Sequence, residues 1–101
     1  MLTLAERPDG LTILRPESLA DGDAWRAPFA GAYQAIWSEP PYNERFSSEE
    51  AGAVLQRSLR ISEQITLLAV KDSCVVAGFA MAFPVASKPD VVRDIRGLLP
   101  I

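Results

Sequence analysis

The sequence predicts an α+β fold (α/β by some schemes) in the order strand, helix, helix, strand, strand, and three observations carry the prediction. Phe29, Ala32, Tyr33, Ile36 and Trp37 recur at i, i+3, i+4, i+7 and i+8, the spacing of one face of an α-helix. Ser47-Ser48-Glu49-Glu50 has the form of a capping box, which satisfies two otherwise orphaned amides at a helix start. Ile65 to Val70 and Cys74 to Phe83 are rich in β-branched and aromatic residues and flank Lys71-Asp72-Ser73, as in an antiparallel hairpin.

Taken in order, the chain opens with two short apolar runs, Leu2 to Leu4 and Leu11 to Leu14. Arg7-Pro8-Asp9-Gly10 separates them, where Pro presets a turn and Gly accepts positive φ. The runs read as a hairpin or as a lead-in to one strand. The polar, Gly-containing stretch Glu17 to Asp23 reads as a loop, with Pro28 in the first turn of the first helix, where its missing N–H costs nothing. That helix cannot pass Ser38-Glu39-Pro40-Pro41, because consecutive prolines remove amide donors and push the preceding residue out of the α region.

The second helix starts at Ser47, with Phe46 and Ala51 placed for a hydrophobic staple. Its expected buried face is Ala51, Val54, Leu55, Ser58, Leu59 and Ser62, with Glu49, Gln56, Arg57, Arg60 and Glu63 toward solvent and an end near Ser62 to Gln64. Both faces of the following hairpin are apolar, so cover is expected on each. Beyond it, Ala86 to Asp90 reads as loop and Val91 to Arg96 as a helical turn.

With 101 residues, 49% of them apolar, the chain buries roughly two-thirds of its unfolded surface and reads as a single domain, residues 1–101. A formal net charge of −3 argues against a phosphate-backbone partner, so no nucleic acid is expected. The single cysteine, Cys74, rules out an intrachain disulfide and fits a reducing compartment; with no apolar run of about twenty residues, the expected location is cytoplasmic, with no membrane partner. Histidine is absent, which removes the commonest base and metal ligand, and no metal site is expected. Cys74 has no imidazole to lower its pKa and reads as a buried, inert thiol.

The element order, with Ile13-Leu14-Arg15-Pro16, Tyr33-Gln34-Ala35-Ile36-Trp37, Ser38-Glu39-Pro40-Pro41-Tyr42 and Val75-Val76-Ala77-Gly78-Phe79-Ala80, resembles the N-terminal half of the GNAT superfamily of acyl-CoA N-acyltransferases. The resemblance spans Leu11 to Pro84. It implies transfer of an acyl group, usually acetyl, from acyl-CoA to an amine, with this chain as the acceptor side. Acetyl-CoA is the cofactor expected of a complete member. The family's coenzyme A motif, Gln or Arg followed by x-x-Gly-x-Gly or Ala opening a helix, occurs nowhere in these residues. Successive amides at a helix N-terminus are what hold a pyrophosphate. Tight binding of coenzyme A by this chain is therefore not expected, and no cofactor-binding residue is assigned.

In the family the acceptor lies against the two N-terminal helices and their connecting loop. By region, the resemblance points to Tyr33, Trp37, Glu39, Tyr42 and Glu44 as substrate-binding residues, and it assigns no catalytic residue. Read from the residues alone, Tyr33 and Trp37 fit a helix core as well as a substrate surface, and Glu39 and Glu44 fit solvated loop carboxylates. Glu49 and Glu50 complement the positive end of the second helix. The strand from Cys74 to Phe83 is expected to leave an open, apolar edge. A homodimer partner or a missing C-terminal half of a truncated enzyme would pair there. The alternative is a non-catalytic binding or dimerisation module built on that edge.

Overall fold

Two hairpins and two helices make up residues 1–84, the part of the chain that the computed structural model describes. The order is β1 (Leu2–Glu6), β2 (Leu11–Arg15), α1 (Leu19–Ser38), α2 (Ser48–Leu59), β3 (Ile65–Lys71) and β4 (Val75–Ala82). The strands form one four-stranded antiparallel sheet in the order β1-β2-β3-β4, so the fold is α+β. The loop and helical turn expected over Ala86 to Arg96 lie outside the described residues.

The two apolar runs at the start are a true hairpin. Gly10 turns it with φ +84°, and a Cβ there would stand 3.3 Å from the Asp72 carboxylate. Both the positive φ and the close approach favour glycine. The second turn lies alongside, with the Asp72 amide donating to the Gly10 carbonyl at 3.3 Å. Asp72 and Ser73 both take positive φ, 52° and 63°, and the Cys74 amide donates back to the Lys71 carbonyl. Cys74 thus sits in an exposed turn and is not the buried thiol expected from the sequence.

Helix α1 starts nine residues ahead of the expected Pro28, and the Glu17 to Asp23 loop is largely helix. The cause is a capping box with aspartate in place of glutamate. The Ser18 hydroxyl accepts from the Asp21 amide at 3.1 Å, while the Asp21 carboxylate accepts from the Glu17 and Ser18 amides at 2.9 and 3.3 Å. Pro28 therefore lies inside the helix, where it removes one backbone donor and crowds the preceding turn. Burial of the residues that follow, Phe29 and Ala30, offsets that loss.

Helix α2 follows the sequence at its start. Ser47 caps it, accepting from the Glu50 amide at 3.0 Å while Glu50 accepts from the Ser47 amide at 3.1 Å. Its end differs. The helix stops at Leu59, and Ser62, expected on the buried face, is exposed. Gln56, expected toward solvent, is buried, because its amide donates to the Asp23 carboxylate on α1 at 2.6 Å.

The core lies between the two helices and one face of the sheet. Phe29 of α1, Leu55 of α2, Leu68 and Val70 of β3 and Val76 of β4 form a contiguous buried cluster. Burying a side chain of this size stabilises the fold by roughly 1.5–3 kcal/mol. A polar seam crosses the same core. Ser58 donates to the Leu55 carbonyl and lies 3.3 Å from the Thr66 hydroxyl, which itself donates to Gln64 at 2.7 Å. Satisfied in this way, the buried groups avoid the desolvation cost of orphaned ones.

Cover on both sheet faces was expected, yet among the described residues the helices lie on one. Thr66, Leu68 and Val70 are buried, whereas the alternate residues Leu67 and Ala69 are only half-buried and Ile65 is exposed. With Ile13, Gly78 and Ala80, Leu67 and Ala69 line an apolar cleft of ≈ 250 Å³ on the outer face. β4 is an edge strand of the described sheet, and an extra residue, Ala77, bulges it where Ala69 pairs Gly78 but Val70 pairs Val76.

Candidate functional site

The C-terminal half of α1 carries an aromatic row that the loop to α2 completes. Phe29, Tyr33 and Trp37 are spaced at four residues, one above the other on the helix face. Tyr33 is its hub. Its ring lies 5.8 Å from Phe29, 5.9 Å from Phe79, 5.2 Å from Phe46 and 5.9 Å from Trp37. Trp37 then meets Tyr42 edge-on at 4.6 Å. Such pairs contribute about 0.5–1.5 kcal/mol each beyond area burial.

The loop over residues 39–47 is tied down by its backbone. The Tyr42 and Asn43 amides both donate to the Glu39 carbonyl, and the Glu44 amide donates to the Trp37 carbonyl at 2.8 Å. Asn43 takes φ 49°, a left-handed conformation that asparagine tolerates. The Pro40–Pro41 peptide is cis. From the helix side, Gln34 donates to the Phe46 carbonyl at 2.9 Å and so sets where the Phe46 ring meets Tyr33.

Of the five residues singled out from the sequence, three come together. Tyr33 is packed against the core, Trp37 is half-buried above it, and Tyr42 is 53% exposed at the outer end of the row. The Trp37 indole N–H is buried without a hydrogen-bond acceptor among the described residues. Glu39 and Glu44 are exposed, and neither carboxylate enters an ion pair there. Glu39 serves as the C-cap of α1, and Glu44 lines a shallow cleft with Gln34, Ser38, Arg45 and Phe46. The acidic pair thus flanks the aromatic row without converging on one point.

The sequence reading missed Phe46, Gln34 and Phe79. The staple position of Phe46 was a signal of packing, but its partner is Tyr33 on the other helix. It also missed that Tyr33 and Phe46 form one wall of a ≈ 360 Å³ cleft whose other wall is α2, from Glu49 and Glu50 to Arg57. The Ser47 amide, and after it the Ser47 hydroxyl, hold the Glu50 carboxyl below its usual range, so it is an anion at neutral pH.

The described helix starts are engaged by their own side chains. At α1 the Asp21 amide is taken by Ser18, and at α2 the Glu50 amide is taken by Ser47. Both first turns already carry carboxylates, Asp21 in one and Glu49 and Glu50 in the other, which repel a second anion. No group of three or more potential metal ligands occurs among the described residues, and no described helix is long and apolar enough to cross a membrane.

Comparison with protein-family models, with curated proteins and with solved structures finds no match to this chain.

Proposed function

We propose that the chain is the acceptor-side, N-terminal portion of a GNAT-type N-acyltransferase, which moves an acyl group from acyl-CoA to an amine. The observation that carries the reading is the arrangement from β2 onward. One strand, two helices and two strands build an antiparallel sheet β2-β3-β4 with the helices on one face, and an aromatic row runs along the helix-loop-helix surface. Aromatic rings beside carboxylates suit a cationic amine, through ring-face attraction and charge pairing. Acetyl-CoA is the donor this reading implies, and its binding residues lie outside those described.

The test is the reading frame that encodes the chain. If it runs on past the Ile101 codon into a strand and a Gly-x-Gly loop opening a helix, its full product should release free thiol from acetyl-CoA in the presence of amines. A stop codon at that point, or a longer product with no transfer to any amine, overturns the reading.

A second reading is favoured by the sheet itself. Val75 and Ile65 are 56% and 45% exposed on or beside β4, next to the outer-face apolar cleft. Such a surface suits a binding or dimerisation module that adds a partner strand at the β4 edge. It predicts a stable dimer by light scattering, disrupted by Val75→Lys; a monomer at high concentration sinks it.

A further inference from the structure

The cleft between the two helices has a composition that helix stability alone does not account for. Glu49 and Glu50 at one end of α2 and Arg57 at the other are each placed where the helix dipole favours them. That explains the charges but not the cleft left between them, floored by Ala53 and Val54 and walled by the edge-on rings of Tyr33 and Phe46. Most of the polar groups around it are free to bind. Among the described residues the Arg57 guanidinium, the Glu49 carboxylate and the Tyr33 hydroxyl have no hydrogen-bond or ion-pair partner, while the Glu50 carboxylate is already held by the Ser47 amide and hydroxyl.

The spacing of these charges selects a ligand. Arg57 follows Glu50 by seven residues and Glu49 by eight, about 10–12 Å along the helix axis. Side chains on a helix lean toward its N-terminus, the glutamates as well as the longer arginine, so the charged ends stay roughly 8–12 Å apart. An α-amino acid, with adjoining charges, is too short to meet both ends. A cation and an anion joined by several methylenes span that distance, and the methylenes find Phe46 and Val54 beneath them.

We propose that this cleft binds an ω-amino carboxylate, its ammonium held at Glu49 and Glu50, its carboxylate at Arg57 and its carbon chain against Phe46 and Val54. The site extends the acceptor surface toward α2, away from the Trp37 to Glu44 loop. The ligand's role as acyl acceptor rests on the acyltransferase reading, whereas its binding does not.

The test is an amide NMR titration of the chain with ε-aminocaproate, with n-hexylamine and hexanoate as single-charge controls and no acyl-CoA present. Saturable shifts are expected at Phe46, Ala53 and Val54, and each control should bind about tenfold or more weakly. Glu49→Gln and Arg57→Gln, both at exposed positions outside the capping box, should each weaken ε-aminocaproate by a similar factor. No shifts at these amides, equal binding of either control, or a loss in only one of the two variants overturns the proposal. Binding of ε-aminocaproate without acyl transfer by the full reading-frame product sinks the acyltransferase reading and leaves the site standing; transfer to other amines without binding here does the reverse.

Discussion

Helices α1 and α2 begin with the same device and are held in place by different forces. Each opens on a serine whose hydroxyl takes the amide three residues on, with an acid there reaching back. After that first turn they diverge. α2 is 12 residues long, has no proline, and turns Ala51, Leu55 and Ser58 inward at helical spacing. α1 is 20 residues long, carries Gly22, Pro28 and Gly31, and has no basic residue in its last turn. Glycine and proline inside a helix cost about 1 and about 3 kcal/mol relative to alanine. α1 is thus a poor helix in isolation, and its integrity depends on Phe29, Tyr33 and Asp23 reaching the sheet, the loop and α2. A helix that leans on tertiary contacts is also the one that carries the aromatic surface.

The comparison breaks most sharply at Phe29. Phe29→Ala removes a fully buried ring and two aromatic contacts, and should destabilise the protein by about 3–5 kcal/mol in urea or guanidinium unfolding. A loss under about 1 kcal/mol would mean that α1 stands without its anchor. Next in size is a gain. Pro28→Ala restores a backbone donor inside α1 and should raise stability by about 1–3 kcal/mol in the same measurement. No gain would show that the helix already bends to suit the proline.

Smaller effects are expected at the shared device. Ser18→Ala and Ser47→Ala should each cost about 1 kcal/mol, the usual value of a lost N-cap. Because α1 depends less on local signals, a Ser18→Ala cost well above that of Ser47→Ala would reverse the comparison.

The smallest expected effect is in pH dependence. The Glu17 amide, then the N-terminal ammonium, holds the Asp21 carboxyl below its usual range, as the Ser47 amide does for Glu50. A depressed carboxyl stabilises the fold above its unfolded pKa and loses that contribution as pH falls through the folded value. Both helix starts therefore weaken below about pH 4. Only α1 has a second limb. The Met1 ammonium lies 3.0 Å from Asp21, which raises its pKa, so this contribution is present below about pH 8 and lost as pH rises through the folded value. Amide exchange should show the start of α1 opening at alkaline pH while the start of α2 does not, and Asp21→Asn should abolish that difference.

How much was legible follows the range of the signals. The start of α2 was readable because Ser47 and Glu50 act on each other within one turn, and the β3-β4 hairpin because its turn residues stand between two β-rich runs. The start of α1 was present in Ser18 and Asp21, but Pro28 was the louder signal, and only the packing of Phe29 shows that the helix runs through it. The aromatic stripe was legible as a stripe, while the Phe46 and Phe79 rings that meet Tyr33 come from a loop and from β4.

By itself, then, the sequence determined that two helices precede a β3-β4 hairpin, the cap of α2, the turn residues and the lack of any imidazole in these residues, signals that sit within a few positions of one another or in the composition. Tertiary structure alone decided which sheet face is buried, that Gln56 turns inward to meet Asp23 and that a charged, aromatic-walled cleft runs along α2. Burial and desolvation depend on groups that the chain brings together from far along its length, and no local pattern encodes which partner will arrive.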